Sequence, residues 1–141
     1  MGLSILNKIN LTPLKRISVD GGDVLHALRH NEIDFNNFGE AYFSIVNFSV
    51  IKAWKKHKRM TLNLIVPIGN IKFVFYSEDL LDRKEMIIGE SNFSRITVPP
   101  GIWFGFQGLD KKINLLLNIA DILHDPTESD RATISEFKQI F

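Results

Sequence analysis

The sequence contains no cysteine, and that absence excludes a disulfide framework as well as a thiolate metal site. It also lacks an apolar run of the roughly 20 residues that a membrane-spanning helix needs, and its opening residues do not read as a signal peptide. Neither sign of charge is in excess, because 17 Lys and Arg against 16 Asp and Glu leave a net charge of +1. The net charge of the protein therefore does not attract polyanions such as nucleic acids. We therefore expect a cytoplasmic protein with no membrane partner and no nucleic-acid partner.

A helix of ordinary length is also missing before the last residues. Short stretches rich in β-branched and aromatic residues alternate instead with turns of Gly, Pro and Asn. With 45% hydrophobic residues in 141, the chain suits one compact domain. We predict an all-β jelly-roll sandwich or barrel over residues 1–141, with an N-terminal arm at 1–38, a core at 39–125 and a short C-terminal helix or tail at 126–141.

The stretch VIKAWKKHKRMTLNLIVPIGNIKFVFY is the centre of this pattern. We predict a strand at 50–54, then an antiparallel pair at 62–66 and 71–76 whose turn uses the freedom of Gly69. The polar loop between them, 55–59, holds four cations and a histidine. Because loops at the rim of a sheet commonly carry function, we expect this loop at the mouth of a site.

Residues 112–120 alternate regularly and predict a strand with two different faces. We expect Ile113, Leu115, Leu117 and Ile119 to face the core. Asn114, Leu116 and Asn118 then face the other way and line a polar cavity, where the two amides either bind sugar hydroxyls or satisfy a buried polar layer.

Two segments keep the spacing of the paired motifs in metal-binding cupins but not their ligands. In the first, Lys55, Leu62 and Gly69 stand at motif positions together with His57; in the second, Phe104 follows Pro-Pro-Gly where a histidine is usual. One imidazole cannot hold a divalent ion that needs three or more protein donors, so we expect no metal.

The phrases GEAYFSIVNFSVIKAWKKHKRMT, ITVPPGIWFGFQGL and NIADILHDPTESDR resemble the short branch of the dTDP-4-dehydrorhamnose 3,5-epimerase family of metal-free cupins, over roughly Gly39 to Arg131. The resemblance implies a cupin-type jelly roll, a homodimer, no cofactor, and a nucleotide-linked 4-keto-6-deoxy sugar as substrate, in deoxysugar or surface-polysaccharide biosynthesis. In that family a histidine removes the proton next to the 4-keto group, a tyrosine donates from the other face, and cations bind the diphosphate.

The family's histidine falls at Lys55 of this chain, and its carboxylate partner in the long members has no counterpart here. The candidate bases are His57, which shares a side with Lys55 if the strand continues, and Lys55 itself, if burial and neighbouring cations lower its pKa. The family's tyrosine is missing from 112–120, which leaves Tyr42 or Tyr76 as the acid, and we select Tyr42.

The binding candidates follow from the same resemblance and from side-chain chemistry. Lys52 matches a family cation, and Lys58 with Arg59 has the charge to clamp a diphosphate, or else lies on a solvated rim. Trp103 and Phe106 either stack on a base and close the pocket or belong to the core.

These residues favour a nucleotide-sugar epimerase or isomerase that acts by enolisation on a dTDP-linked 4-keto-6-deoxyhexose. The alternatives are a catalytically silent sugar-nucleotide-binding cupin, as Lys55 and Phe104 suggest, and a 3,4-ketoisomerase. An RNA-binding β module that uses residues 52–59 with Trp103 is a fourth reading, disfavoured because charge is balanced outside that patch.

Overall fold

The computed structural model of the chain describes residues 4–137, which form twelve β-strands and three short 3-10 turns. The strands are β1 (Asn10–Pro13), β2 (Arg16–Ile17), β3 (Val24–Leu25), β4 (Glu40–Ile45), β5 (Ile51–His57), β6 (Leu62–Ile68), β7 (Asn70–Tyr76), β8 (Arg83–Gly89), β9 (Ser94–Val98), β10 (Trp103–Gly108), β11 (Leu115–Ala120) and β12 (Ser129–Arg131); the turns are Ile5–Lys8, Pro126–Glu128 and Ile134–Glu136. None of the described helical turns has the length and apolar character needed to cross a bilayer.

Ten of these strands build two antiparallel sheets. The first sheet has the order β1-β9-β6-β11-β4, and the second has the order β12-β5-β10-β7-β8. The core lies between them, where Leu64 and Val66 of β6 pack in one cluster with Phe73 and Phe75 of β7, all four fully buried. This arrangement confirms the predicted all-β, cupin-type jelly-roll architecture.

The predicted pairing of residues 62–66 with 71–76 is wrong. Both segments are strands, but β6 pairs with β9 and β11, whereas β7 pairs with β8 and β10. Each strand has an apolar face. The two faces are buried against each other when the strands lie in opposite sheets, which side-by-side pairing in one sheet would not achieve. The chain crosses between the sheets at Gly69, where φ is +80° and a Cβ would collide with the carbonyl oxygen of Ile113.

The two faces of β11 are also the reverse of the prediction for the core. Leu116 and Asn118 point between the sheets and are 2% and 7% exposed, whereas Leu115, Leu117 and Ile119 lie half-buried on the outer face. Strict alternation shows that two sets face opposite ways, but it does not say which set faces the second sheet. The expected polar cavity does lie on the Asn118 side.

Both ends of the described chain join the sheets. In the predicted N-terminal arm, β1 adds an edge strand to the first sheet, and β2 and β3 form a separate hairpin around Gly21 and Gly22. Residues 126–131, predicted as the start of a C-terminal helix or tail, form the 3-10 turn Pro126–Glu128 and then β12, which pairs with β5 at the edge of the second sheet. Beyond it, the described residues contain only the 3-10 turn Ile134–Glu136, and residues 138–141 of the predicted helix or tail fall outside the described range.

Candidate functional site

A cavity of about 350 Å³ opens between the two sheets, with walls from both. Its lining residues are Tyr42 and Ser44 of β4, Leu116 and Asn118 of β11, Lys52, Ala53, Trp54, Lys55 and His57 of β5, Phe104 and Phe106 of β10, and Arg131 of β12. The predicted catalytic residues His57, Lys55 and Tyr42 are therefore brought together, along with Lys52, Phe106 and Asn118 of the predicted binding set.

Strand β5 carries the most chemistry in this cavity. It runs to His57, three residues past its predicted end at Trp54, because β10 and β12 pair with it on both sides. Lys55 and His57 therefore share the cavity side of a strand and do not belong to a rim loop. Lys56 points the other way, where its Nζ lies 2.7 Å from a carboxylate oxygen of Glu78.

His57 is paired with a buried carboxylate. Its Nδ1 lies 2.7 Å from Oε1 of Glu128, which is only 2% exposed, while Oε2 accepts hydrogen bonds from the backbone N–H of Arg59 at 2.7 Å and Met60 at 2.8 Å. A carboxylate on Nδ1 fixes the tautomer and orientation of an imidazole, because Nδ1 then carries the proton. Nε2 has no hydrogen bond with the described residues and is the nitrogen available to a ligand in the cavity.

The protonation states of this pair suit a base. Burial lowers the pKa of His57 and outweighs the opposing effect of Glu128, and the nearby Lys55 cation lowers it further. Burial alone would raise the pKa of Glu128, but hydrogen bonds from His57 and from two backbone N–H groups lower it overall. At neutral pH the pair is therefore a neutral imidazole beside an ionised carboxylate.

Three cations face the same cavity: Lys52, Lys55 and Arg131. Among the described residues none of the three forms an ion pair, and no acidic side chain lines the cavity, since Glu128 lies behind His57. Burial lowers the pKa of Lys55 most, and the charge of the neighbouring Arg131 lowers it further. Unpaired cations beside a neutral base make a site for a negatively charged ligand.

Tyr42 lies on the opposite sheet from His57. Its Oη accepts a hydrogen bond of 3.2 Å from Nδ2 of Asn118, its partner in the β4 and β11 register. Burial and the nearby Glu40 carboxylate raise the pKa of this phenol, so it stays protonated at neutral pH.

The arrangement has a relative of known structure. A dTDP sugar isomerase from Desulfovibrio desulfuricans G20 is 34% identical to this chain, with a TM-score of 0.87 over 94% of this chain and 88% of that one. The chain belongs to the dTDP-sugar isomerase family. This membership agrees with the resemblance carried by the three sequence phrases.

More distant structures share the fold of this family. A sugar 3,4-ketoisomerase from Thermoanaerobacterium thermosaccharolyticum in complex with TDP is 20% identical, with a TM-score of 0.76 over 90% of both chains. A dTDP-6-deoxy-D-glucose-3,5-epimerase from Legionella pneumophila in complex with dTDP-4-keto-L-rhamnose is 13% identical, with a TM-score of 0.76 over 88% of this chain and 72% of that one.

A curated relative matches at the level of sequence. The spore coat polysaccharide biosynthesis protein SpsL of Bacillus subtilis strain 168 is 24% identical over 135 residues, which are 92% of this chain and 89% of that protein. No model of an established protein family matches the chain.

Two of the predicted binding cations lie outside the cavity. Lys58 and Arg59 follow the end of β5, with side chains 55% and 64% exposed. Each faces a surface carboxylate, Asp130 at 3.9 Å and Asp125 at 3.3 Å. They are at the solvated rim because the strand ends at His57 and the chain turns away.

Asn114 and Trp103 are also absent from the cavity walls. The amide of Asn114 is fully buried, and all of its hydrogen-bonding groups have partners. It donates to the carbonyls of Val46 and Asp110 and accepts from the N–H groups of Asn70 and Asp110. It therefore stabilises the loops at one end of the sandwich.

Trp103 packs on the outer face of the second sheet, with its ring centroid 5.5 Å from that of Phe137 and the Lys56 ammonium 5.2 Å above it. Alternation along β10 places it opposite Phe104, which does line the cavity.

The sequence reasoning missed Glu128 and Arg131. Both lie in the phrase NIADILHDPTESDR, which carries part of the family resemblance, but they fall in its last six residues, which the sequence analysis places in a C-terminal helix or tail. Their position depends on β12 pairing with β5, which sets Ser129 opposite His57 and Arg131 opposite Lys55. Within residues 4–137, no group of three or more His, Cys, Asp or Glu side chains is placed to hold a metal ion.

Proposed function

We propose that the chain epimerises or isomerises a dTDP-linked 4-keto-6-deoxyhexose by cofactor-free enolisation, with His57 as the base. The observation that carries this proposal is the His57–Glu128 pair, at 2.7 Å, on the wall of a cavity that three cations also line. A silent binding protein would have no need for a buried carboxylate that orients an imidazole and keeps its other nitrogen free.

The first step is removal of a proton from the carbon next to the keto group. Nε2 of His57 takes the proton, the C–H electron pair becomes the C=C bond of an enolate, and the carbonyl π pair moves to the oxygen. The ammonium of Lys55 stabilises the negative charge that develops on the enolate oxygen, and the carboxylate of Glu128 stabilises the imidazolium that forms.

The second step returns a proton to carbon. Tyr42 lies on the sheet opposite His57, and its raised pKa keeps the phenol protonated until the enolate is present. Donation of that proton to the same carbon from the other face inverts the centre and restores the carbonyl. The phenolate then regains a proton from solvent, and the imidazolium of His57 releases its proton to solvent. The product is the epimer, and no redox partner is needed.

The cavity also supplies the means to hold the rest of the substrate. Lys52 and Arg131 provide positive charge without a carboxylate partner, which suits a diphosphate; guanidinium is suited to bidentate contact with phosphate oxygens. Phe104 and Phe106 supply apolar walls for a sugar or a base.

A 3,4-ketoisomerase is the second candidate. The chain spans 90% of the length of the ketoisomerase but only 72% of that of the epimerase, so its size favours the former. The chemistry would begin in the same way, with proton removal from C3, but the proton would return to C4 after the hydroxyl proton of C3 moved to the enolate oxygen.

The outer face of the first sheet supports a homodimer. Phe43 and Ile45 of β4, an edge strand, are 65% and 57% exposed, and Leu117 of β11 lies opposite Phe43 in the register. We propose that a second copy of the chain packs on this face. Exposed apolar side chains and the unpaired backbone groups of an edge strand both favour association with another chain.

The similarity to a spore coat polysaccharide protein supports a role in making a deoxysugar for a surface polysaccharide. The product of the proposed reaction would still carry a keto group. A ketoreductase or an aminotransferase must therefore consume it.

The test is to incubate the protein with freshly prepared dTDP-4-keto-6-deoxyglucose in deuterated water and to follow C3 and C5 by NMR. Exchange at both carbons supports a 3,5-epimerase, and exchange at C3 with appearance of a 3-keto product supports the ketoisomerase. Binding of the substrate without exchange at either carbon would refute enolisation of this sugar.

A further inference from the structure

One amide in the cavity has a free acceptor. Asn118 is 7% exposed and lies on the cavity wall between the apolar side chains Leu116 and Ala120, which share its face of β11. Its Nδ2 donates to the phenol of Tyr42, but its Oδ1 is buried and has no hydrogen-bond partner within residues 4–137.

An unpaired buried acceptor is costly. Leaving such a group unsatisfied destabilises a protein by about 1–3 kcal/mol, and leucine in its place would continue the apolar row. The amide of Asn114 on the same face shows the contrast, because all of its donors and acceptors are used within the fold. The unpaired oxygen of Asn118 is therefore matched to a donor that the described chain does not supply.

The hydrogen bond from Asn118 to Tyr42 determines which way the phenol can donate its hydrogen. Because Oη accepts from Asn118 Nδ2, the phenolic hydrogen is free to be donated elsewhere. Oδ1 is attached to the same amide carbon as Nδ2, so it lies within a few ångströms of the phenol. A ligand that accepts from Tyr42 would therefore place a neighbouring donor next to Asn118.

We propose that Asn118 is a two-sided positioning and recognition residue: its Nδ2 orients the phenol of Tyr42, and its Oδ1 accepts a hydrogen bond from a ring hydroxyl of the bound sugar. This inference rests on the proposed function for the identity of the ligand. A 4-keto-6-deoxyhexose has the required chemistry, since hydroxyls at C2 and C3 lie close to the carbon that is deprotonated. A site built to bind a hydroxyl rejects the analogue that lacks it.

The recognition half is tested by crossing a variant with a substrate analogue. For the wild type, exchange in deuterated water should fall by about tenfold in kcat/KM on either the 2-deoxy or the 3-deoxy analogue of dTDP-4-keto-6-deoxyglucose, which corresponds to one hydrogen bond. Asn118→Leu should lose at least that much on the natural sugar, because it also removes the donor to Tyr42, and it should show no further loss when the natural sugar is replaced by that analogue. The recognition role would be overturned if the analogue lost as much activity in Asn118→Leu as in the wild type. It would also be overturned if neither analogue lost activity in the wild type.

The positioning half needs no turnover. With tyrosine labelled at 13Cζ, the two tyrosines give two signals, and Tyr42→Phe assigns them. Asn118→Leu removes the donor that stabilises the phenolate, so it should raise the Tyr42 pKa; Asn118→Asp should raise it as well while keeping an acceptor for the sugar. An unchanged Tyr42 titration in both variants would overturn the positioning role.

Asn63→Leu is the matched control. Asn63 is a buried amide of the same sheet at 6% exposure, but it bonds to Thr97 and to the carbonyl of Asp34 and does not line the cavity. It should change stability without moving the Tyr42 titration or the preference between analogues. If the wild type exchanges neither the natural sugar nor an analogue, the proposed function fails, while the titration still decides the role of Asn118 toward Tyr42.

Discussion

Replacing Glu128 by glutamine separates the paired base from a simple cavity histidine. The carboxylate accepts from His57 Nδ1 and from two backbone N–H groups, at 2.7–2.8 Å. Glutamine keeps one acceptor oxygen, and its NH₂ group must face either the imidazole N–H or the two backbone donors. Leaving a buried donor without its acceptor in this way costs about 1–3 kcal/mol, so we expect a loss of that size in the free energy of unfolding.

The same change should weaken the base. Glu128 raises the pKa of His57 against the larger lowering by burial, so its removal should lower that pKa further. We expect deuterium exchange into the sugar to fall by about 10–100-fold, the usual range for loss of a group that orients a histidine. The acid limb of kcat/KM, already below the ordinary pKa of 6.5, should move to lower pH.

Stability should respond to pH in a defined direction. His57 and Glu128 both have lowered pKa values in the folded protein, so the unfolded chain binds more protons. Their contribution is complete above the ordinary pKa of 6.5 for the histidine and is lost as the pH falls, first through His57 and then below 4.5 through Glu128. Glu128→Gln should lack the second part of this loss.

Urea denaturation at several pH values and exchange followed by NMR measure these effects. The control is Glu78→Gln, the same substitution in an exposed pair with Lys56, where the glutamate side chain is 74% exposed. It should cost at most about 1 kcal/mol and leave exchange within twofold. If Glu128→Gln behaves like this control in both assays, the reasoning on the paired base is refuted.

Two further predictions concern binding and assembly. Arg131→Ala should weaken dTDP binding by about tenfold, the loss of one phosphate contact, whereas Lys58→Ala should leave it within twofold because Lys58 lies outside the cavity; equal effects in titration calorimetry would contradict this assignment. Phe43→Glu should shift the protein from dimer to monomer in sedimentation experiments without altering the His57 titration, and an unchanged mass would exclude the proposed dimer face.

Local patterns in the sequence located most strands but not their neighbours. The segment 71–76 was recognisable from its β-branched and aromatic residues, yet its pairing with β10 joins residues about 30 positions apart, and no local signal encodes that. On β11 the alternation is present as predicted, but the more hydrophobic set faces outwards, since alternation alone does not tell which set faces the second sheet.

The site was predictable only in part, for the same reason. Lys55 followed from the family resemblance, His57 from its position two residues further along the same strand, and Tyr42 from the scarcity of tyrosines. Glu128 lies 71 positions from His57 and reaches it only through the pairing of β12 with β5. The carboxylate that the sequence analysis found missing is supplied by the 3-10 turn Pro126–Glu128, which is held in place by the three-residue edge strand that follows it. The composition of that segment does not predict a strand.

The most direct test of enolisation by His57 compares His57→Ala with Lys55→Ala in the exchange experiment on dTDP-4-keto-6-deoxyglucose. We predict that His57→Ala abolishes incorporation of deuterium next to the keto group, while Lys55→Ala slows it by about 10–100-fold without abolishing it, as loss of an electrostatic group does. Exchange that persists in His57→Ala and disappears in Lys55→Ala would contradict the account and assign the base to Lys55.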